Sequence, residues 1–198
     1  MLQGSFTGEL LEAGVDEAGR GCLAGPVFAA AVIFPADYTD KELNDSKQLS
    51  ARVRERLRKR IESDALSWAV ASVSPGLIDE MNILNASILA MHKAILQLKP
   101  VPELLLIDGN RFKPLNDIRH QCIIKGDTKF LSIAAASIMA KTFRDELMCS
   151  IGNEFPYYDW ENNKGYPCRK HREGIYLHGP CEHHRRSFRL YEQLKLAL

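Results

Sequence analysis

The sequence lacks any hydrophobic run near the length of a membrane span. A helix that crosses a bilayer needs about 20 consecutive apolar residues, and no stretch of the 198 residues approaches this length. The first residues, MLQGSFTGELLEAG, do not show the basic segment followed by an apolar segment that marks a secretory signal. We therefore expect a cytoplasmic protein with no membrane association.

Cysteine is scarce and follows no recognisable framework. The five cysteines form no CxxC pair, and their odd number favours reduced thiols in a cytoplasm over disulfides. Cysteine and histidine recur in residues 168–183, but their spacing matches no familiar zinc site. P-loop and GxSxG patterns are also absent, so nucleoside triphosphate binding and a serine nucleophile are not indicated.

The sequence has almost no excess of positive over negative charge, since the net charge is only +1. Two local clusters are basic nonetheless. Residues 52–60 hold six Lys or Arg against one acid, and residues 164–189 hold seven Lys or Arg and four His against two acids. Such clusters can meet phosphates, but for either cluster alone a solvated face is the preferred interpretation.

The sequence does contain the pattern of an α/β protein, with 45% hydrophobic and 26% charged residues. Apolar runs predict five strands, at 11–17, 27–35, 67–74, 103–108 and 120–127. Helical periodicity predicts three helices, at 50–63, 77–98 and 128–147. Ser50 is the expected N-cap of the first helix. Adjacent early strands and later helical crossovers indicate one mixed sheet covered by helices.

Acidic residues stand at the ends of three predicted strands. Asp16 and Glu17 end the first strand, and Asp108 and Asp127, each beside a glycine, end two later ones. Ligand sites of α/β sheets gather at strand ends, so four carboxylates converge if these strands are neighbours. Because successive side chains on a regular strand point to opposite faces, Asp16 and Glu17 are expected to share a site only if the strand ends or bulges there.

Four converging carboxylates would repel one another unless cations neutralise them. Magnesium takes oxygen ligands and usually binds one or two carboxylates per ion, with water and substrate phosphate completing the octahedron. Four acids therefore suit two ions, which together can activate a water and stabilise the leaving oxygen of a phosphodiester. For any one acid taken alone, a turn after a strand is the commoner explanation.

Seven short motifs, taken in order, resemble those of bacterial ribonuclease HII: VDEAGRGCLAGPV, NDSKQLS, IDGN, KGD, AAASIMAKTFRD, NKGYP and HRRSF. The resemblance implies a ribonuclease H-like mixed sheet flanked by helices. It implies a single domain over 1–198, with a catalytic core over 1–150 and a C-terminal helical substrate-binding extension over 151–198. It also implies cleavage of the RNA strand of RNA–DNA hybrids and cleavage 5′ of single ribonucleotides in duplex DNA.

The resemblance assigns catalysis and metal binding to Asp16, Glu17, Asp108 and Asp127. These are the same four acids that the strand-end argument selects. The implied cofactors are Mg²⁺ or Mn²⁺, as two ions with substrate bound. The implied mechanism is in-line attack of water on the phosphate 5′ of a ribonucleotide, which leaves 5′-phosphate and 3′-hydroxyl ends.

The resemblance also gives a role to the glycine-flanked arginine. The family's GRG element falls on Gly19, Arg20 and Gly21, and the tyrosine of its GYP element falls on Tyr166. These elements are implied to read the ribose 2′-hydroxyl, the group that distinguishes RNA from DNA. Glycine suits such a role because it lets the backbone come close to a ligand. A half-buried aromatic ring with a wet hydroxyl is the alternative for Tyr166.

Further residues match substrate-binding positions of the family. Asn44, Ser46 and Lys47 are expected to hold the nucleic-acid backbone, a contact that positions a duplex without reading its sequence. A second set is assigned less directly, because each member could serve the fold instead: Lys141, Arg144, His171, Arg185 and Arg186. Lys141, for example, could pair with Asp145 at i, i+4.

Two remaining features bear on regulation and partners. Cys22 follows the GRG element, so a reactive thiol there would make activity sensitive to oxidation. The C-terminal QLKLAL loosely resembles peptides that dock on sliding clamps, although an ordinary helix end explains it equally well. We expect a monomer whose partners are RNA–DNA hybrids and ribonucleotide-containing duplex DNA.

Two other functions fit part of the pattern. A four-carboxylate 3′–5′ exonuclease would use the same acids but would degrade free ends without needing an internal ribose. A non-catalytic RNA–DNA hybrid-binding module would explain the basic residues, but uncompensated acids would repel its ligand. Metal-dependent turnover separates the three functions, whereas salt dependence does not, since binding would weaken with salt in every case.

Overall fold

A computed structural model of the chain describes residues 2–43, 46 and 49–191. Within these residues five strands form one sheet: β1 (Glu12–Ala18), β2 (Val27–Ile33), β3 (Ser67–Val73), β4 (Leu104–Asp108) and β5 (Arg119–Ile123). The α-helices that accompany them are α1 (Ala51–Asp64), α2 (Pro75–Met81), α3 (Ile83–Ile95), α4 (Leu131–Glu154), α5 (Trp160–Asn163) and α6 (Arg169–His178).

The sheet is mixed, with the strand order β3-β2-β1-β4-β5. Its first three strands in the chain pair antiparallel, whereas β4 runs parallel to β1 and β5 runs parallel to β4. Helix α3 packs on one face and α4 on the other. The predicted mixed sheet flanked by helices is confirmed. Because β1, β4 and β5 are parallel, their carboxyl ends lie at one edge of the sheet.

Helix α1 begins and packs as its sequence predicts. The Ser50 hydroxyl accepts a hydrogen bond from the Val53 backbone N–H at 3.3 Å, which satisfies one of the unpaired donors of the first turn. Leu57 and Ile61, one turn apart, are completely buried against the sheet. Arg52 and Arg56 are left on the exposed face of the helix, whereas Arg54 and Arg58 are largely covered and reach acids of α4.

Arginines of α1 form ion pairs with acids of the same chain. The pairs are Arg54–Asp145 at 3.8 Å, Arg56–Glu42 at 2.6 Å, Arg58–Glu146 at 2.7 Å and Arg60–Asp40 at 3.0 Å. Only the Arg56–Glu42 pair is well exposed, and such a pair contributes little to stability. Together the pairs neutralise much of the basic stretch 52–60, which is therefore only partly a solvated helix face.

The single helix predicted over 77–98 is wrong, because the chain forms two helices there. Asn82 separates α2 from α3 with a φ of 68°. With a ψ of 163°, this is a conformation that non-glycine residues rarely adopt. The Asn82 side chain accepts from the Asn85 N–H at 3.1 Å and so caps α3. A one-residue break keeps the apolar stripe nearly in phase, so periodicity could not reveal it.

The fifth strand is shorter than predicted. It ends at Ile123, and Lys125 then adopts a φ of 55° that turns the chain into a 3₁₀ turn, Gly126–Thr128. The strand predicted over 120–127 is therefore wrong in its last four residues. Asp127 lies in the 3₁₀ turn rather than at the end of a strand.

Small residues bring α4 close to the sheet, as the alanine-rich sequence predicts. A Cβ added at Gly14 of β1 would lie 2.2 Å from the backbone carbon of Ser132, so strand and helix meet at main-chain distance there. Helix α4 is longer than the predicted 128–147 and runs through residue 150, where the boundary between core and extension was placed. Beyond it, α5 and α6 pack around Trp160 and Ile175 in a separate apolar cluster.

Candidate active site

Two acids lie side by side at the carboxyl edge of the sheet. β1 and β4 pair in parallel with Val15 opposite Ile107, which brings Asp16 next to Asp108, the last residue of β4. Asp16 is buried, and its carboxylate accepts hydrogen bonds from the Ser137 side chain and, at 2.7 Å, from the Glu17 backbone N–H. The convergence of the first two strand ends is thus a consequence of the parallel pairing.

Asp16 and Glu17 point to opposite faces of the sheet. β1 stays regular through Ala18, which pairs with Phe28, so the expected break or bulge between the two acids is absent from this strand. Asp16 faces α4, where Ser137 lies, whereas Glu17 lines a cleft of about 180 Å³ beside α3. Asp108 lines the same cleft as Glu17. Asp16, Glu17 and Asp108 therefore lie around the carboxyl end of β1 and not on a single face of the sheet.

Like charges and burial dominate the electrostatics of this edge. Burial raises the pKa of Asp16 well above its ordinary value, and the nearby carboxylates of Glu17 and Asp108 raise it further. The Arg20 guanidinium offsets part of this charge, since its Nη1 lies 3.1 Å from Oε1 of Glu17. A site in which an acid resists ionisation is one that a cation would stabilise.

The fourth acid is linked to the third through the main chain. The Gly126 N–H donates to Oδ1 of Asp108 at 2.7 Å, and the following residue, Asp127, is buried. Across residues 2–43, 46 and 49–191, no three His, Cys, Asp or Glu side chains gather closely enough to hold an ion by themselves. Carboxylate oxygens are nevertheless suitable Mg²⁺ or Mn²⁺ ligands, and Mg²⁺ binds through one or two carboxylates with water and phosphate oxygens.

The GRG element lies beside Tyr166 at the same end of the molecule. The Leu23 N–H donates to the Gly165 carbonyl at 2.8 Å, which ties the two segments together. Arg20 and Tyr166 are both partly exposed, and burial together with the neighbouring Cys22 raises the pKa of Tyr166 to about 12. Tyr166 therefore keeps its hydroxyl proton at neutral pH and can donate as well as accept a hydrogen bond.

Comparison with known proteins decides the family. The model of the family described as Ribonuclease HII matches residues 13–191. The chain belongs to the ribonuclease HII family. A ribonuclease HII of Bacteroides fragilis is 60% identical over 190 residues, covering 96% of this chain and 94% of the relative. One from Bacteroides thetaiotaomicron is 58% identical over 198 residues, covering 100% and 99%.

A solved structure supports the same assignment. The PCNA:RNase HII complex from Archaeoglobus fulgidus contains a chain 29% identical to this one, with a TM-score of 0.77, and the match covers 93% of this chain and 98% of that one. The predicted ribonuclease H-like fold is confirmed. As a ribonuclease HII family member the protein is a metal-dependent endoribonuclease that acts on RNA–DNA hybrids. Among the described residues, no helix combines the length and the apolar character that a membrane span requires.

Four residues that the ribonuclease HII resemblance offered as substrate contacts lie inside the protein. Arg144, His171 and Arg185 are completely buried, and Ser46 is nearly so. The Ser46 and Ser137 hydroxyls lie 2.9 Å apart, so Ser46 supports the serine that bonds to Asp16. Burial argues against direct contact between these four side chains and a nucleic acid, and each of them has a hydrogen-bond partner inside the protein.

His171 belongs to a buried hydrogen-bond network with fixed proton positions. Trp160 Nε1–H donates to His171 Nε2 at 2.9 Å, so the His171 proton is on Nδ1, which donates to the Tyr166 carbonyl at 2.9 Å. His184 Nδ1 accepts from the Cys181 N–H at 3.0 Å, and its Nε2–H therefore faces His171 Nε2 at 3.2 Å. Both imidazoles are neutral in this arrangement.

Of the remaining predicted contacts, Lys141 is partly buried, Arg186 is exposed, and the others lie outside the described residues. Lys141 pairs with Asp145 at 2.6 Å and lies 5.5 Å from the centre of the Tyr166 ring. The Arg186 side chain is exposed, while its backbone N–H donates to Asp79 at 2.8 Å. Asn44, Lys47 and the QLKLAL segment lie outside the described residues, so their predicted contacts stay predictions.

Cys22 is not positioned as a reactive thiol. It is completely buried, and burial raises the pKa of its thiol, although the nearby Arg144 and Arg185 charges oppose the shift. Reactivity needs an exposed thiolate. The structure therefore argues against oxidation of Cys22 as a control of activity.

Sequence analysis missed several residues that organise the site. Ser137 supports Asp16, Asp79 holds the backbone of residues 186 and 187, and His184 completes the histidine network. A serine inside the alanine-rich stretch of α4 was a signal for the first of these. Nothing in the local sequence marks Asp79, because its partners lie more than 100 residues away.

Proposed function

We propose that this enzyme cleaves the phosphodiester 5′ of a ribonucleotide, both in RNA–DNA hybrids and at single ribonucleotides embedded in duplex DNA. The main support is that the acids and the GRG element lie at the same edge of the sheet. Asp16, Glu17 and Asp108 surround the end of β1 there, and the GRG element begins only two residues further along the chain. Groups suited to hydrolysis and groups suited to ribose recognition therefore lie together.

In this proposal Asp16, Glu17, Asp108 and Asp127 hold two Mg²⁺ or Mn²⁺ ions. The bound ions would polarise the scissile phosphate, lower the pKa of the attacking water and stabilise the leaving oxygen. The carboxylates of the chain orient the ions and carry the opposing charge. In-line attack by water then yields 5′-phosphate and 3′-hydroxyl ends, and no covalent enzyme intermediate is needed.

Recognition of the ribose is assigned to Gly19, Arg20, Gly21 and Tyr166. Gly21 supports this assignment because neither its backbone conformation nor its packing within the protein requires a glycine. A Cβ added at Gly21 would meet no atom within 4 Å, and its φ is not left-handed. An open glycine beside an acidic edge is what close approach of a substrate backbone would require.

Contacts to the phosphate backbone are proposed for cations that are at least partly exposed and for residues near them. Lys141 and Arg186 are candidates among the described residues, and Asn44 and Lys47 remain candidates from the sequence. Such contacts would set the position of the duplex without reading its bases. A monomer in the cytoplasm, with a weak sliding-clamp contact through the C-terminal segment, completes the proposal.

The test uses a DNA duplex with one internal ribonucleotide and an all-DNA duplex of the same sequence. Each is incubated with wild type or Asp16→Asn in Mg²⁺, Mn²⁺ or chelator, and the products are mapped. We expect one metal-dependent cut 5′ of the ribose, which is lost in the variant and absent from all-DNA. A ladder from the ends of both duplexes would indicate the 3′–5′ exonuclease, and binding without a cut would indicate the hybrid-binding module.

A further inference from the structure

Arg144 is a completely buried arginine whose hydrogen bonds all go to the main chain. Its Nε donates to the Pro26 carbonyl at 3.0 Å and its Nη2 to the Ala24 carbonyl at 3.0 Å. Its Nη1 donates to the Lys164 carbonyl at 2.8 Å. A buried guanidinium is costly unless each of its polar ends is satisfied, and here one side chain satisfies three separate carbonyls.

The three carbonyls belong to two segments that are far apart in the sequence. Ala24 and Pro26 follow the GRG element, whereas Lys164 stands two residues before Tyr166. The planar fork of arginine presents several donors at fixed angles. One guanidinium therefore fixes the distance between these segments and the direction in which each faces.

The GRG element also touches the guanidinium directly. A Cβ added at Gly19 would lie 2.1 Å from Nε of Arg144, and Gly19 has a φ of 92°. The glycine is thus required by Arg144 itself, not only by the turn. On the other side, the Arg144 guanidinium lies 5.8 Å from the centre of the Tyr166 ring.

We infer that Arg144 is a positioning residue that fixes the position of the GRG element relative to Tyr166. This inference rests on the proposed function, in which those two elements read the ribose. A small displacement of either element would separate the groups that must meet one 2′-hydroxyl. Arg144 thereby sets how well the enzyme recognises a ribonucleotide, although it contacts no substrate.

The experiment compares Arg144→Lys, Tyr166→Phe and the double variant on the single-ribonucleotide duplex. Lysine keeps the positive charge but cannot donate to three divergent carbonyls. We expect Arg144→Lys to lower kcat/KM about 10- to 100-fold, as small misplacements of reacting groups do. Arg56→Lys is the matched control, because Arg56 pairs with Glu42 on the exposed surface of α1 and its variant should keep wild-type kcat/KM.

The double variant distinguishes positioning from a general loss of folded protein. If Arg144 acts on Tyr166, the two losses are coupled, and the double variant loses less than the product of the single losses. Losses that multiply, or wild-type activity in Arg144→Lys, would overturn the inference. A wild-type enzyme that does not cut at the ribonucleotide would overturn the proposed function itself, which is a distinguishable result.

A second variant guards against misfolding of Arg144→Lys. Gly25 has a φ of 81°, so Gly25→Ala strains the backbone between the Ala24 and Pro26 carbonyls that Arg144 holds, and the new methyl would lie 2.2 Å from Sδ of Met148 and 3.3 Å from Nη2 of Arg144. Hydrogen exchange on folded samples should then rise together in residues 19–26 and 164–166. Faster exchange in one segment alone would contradict a shared anchor.

Discussion

The Gly126 N–H donates a hydrogen bond to Oδ1 of Asp108, and this hydrogen bond connects the turn that carries Asp127 to the end of β4. Asp108 therefore has two functions that substitutions can separate. Its charge contributes to the acidic edge, and its oxygen fixes the 3₁₀ turn that carries Asp127.

Asp108→Asn and Asp108→Ala should lower cleavage to a similar extent but differ in the turn. Both remove a metal-binding charge, for which we expect a loss of about 100-fold or more, since such charges supply several kcal/mol. Only asparagine keeps an oxygen that accepts from Gly126. Hydrogen exchange of the Gly126 amide should therefore accelerate in the alanine variant alone. Equal exchange in both variants would show that the bond does not hold the turn.

Asp16→Asn should abolish cleavage while stabilising the fold in chelator. The folded state raises the pKa of Asp16, so ionised Asp16 destabilises it as pH rises through that pKa. Asparagine removes the charge and keeps a hydrogen-bond acceptor. We expect thermal unfolding at pH 7 to shift upward by about 2–4 °C, the change that ~1 kcal/mol produces in a chain of this size.

Asp117→Asn is the matched control for this prediction, because Asp117 lies on an exposed turn. Its melting temperature in chelator should stay at the wild-type value. A lower melting temperature for Asp16→Asn than for this control would mean that the Asp16 charge stabilises the metal-free protein, contrary to the electrostatics described above.

Gly21→Ala and Gly14→Ala should have opposite effects. The methyl at Gly21 meets no protein atom, so folding stability should be unchanged, whereas a substrate that approaches there should bind more weakly. The methyl at Gly14 meets the backbone of Ser132 at 2.2 Å and cannot be relieved by a side-chain rotation. Overpacking of this kind costs about 1–3 kcal/mol or more. Chemical unfolding and KM measured on both variants check the contrast, and unchanged KM in Gly21→Ala would contradict substrate contact at this glycine.

Stability should fall as pH decreases from about 6.5 to about 4, in part because of His184. Burial and the adjacent His171 lower the pKa of His184 to about 4. Below pH 6.5 the unfolded chain binds a proton that the folded state excludes, so the full stability is present only above this range. The loss from this one group reaches about 3 kcal/mol at the acid end. Urea unfolding across this pH range measures it.

His184→Gln should flatten that pH dependence, because glutamine does not titrate. His178→Gln is the control, since His178 is exposed on α6 and stacks on Tyr157. The control should retain the wild-type slope. If His184→Gln retains it as well, acid unfolding originates elsewhere in the chain.

Much of the fold follows from local sequence. Alternating and continuous apolar runs located all five strands, and Ser50 marked the start of α1, because burial and capping act over a few residues. The proximity of Asp16 and Asp108 follows for a related reason: their strand ends are visible locally, and parallel pairing brings them together. Asp127 lies in the 3₁₀ turn instead, four residues beyond the end of β5. The break at Asn82 and the early end of β5 were missed because both depend on single residues with a positive φ.

The interior part of the site could not be predicted from the sequence. Arg144, His171 and Arg185 appear in motif order as ordinary polar residues, and only the fold shows that they are buried. Their partners are carbonyl groups, which every residue possesses, so the sequence carries no pattern for the contacts. Motif resemblance selected these residues but left open whether they contact substrate or serve the fold.

The main-chain partners of Arg144 have a consequence for how this family can vary. The contacts would survive a change of side chain at Ala24 or Lys164, because the carbonyl remains. These three contacts then oblige no residue pair to change together, and pairwise covariation across homologous sequences would not detect them. They would appear only as intolerance of substitution at position 144, and at Gly19 beside it, in a deep mutational scan scored for ribonucleotide cleavage.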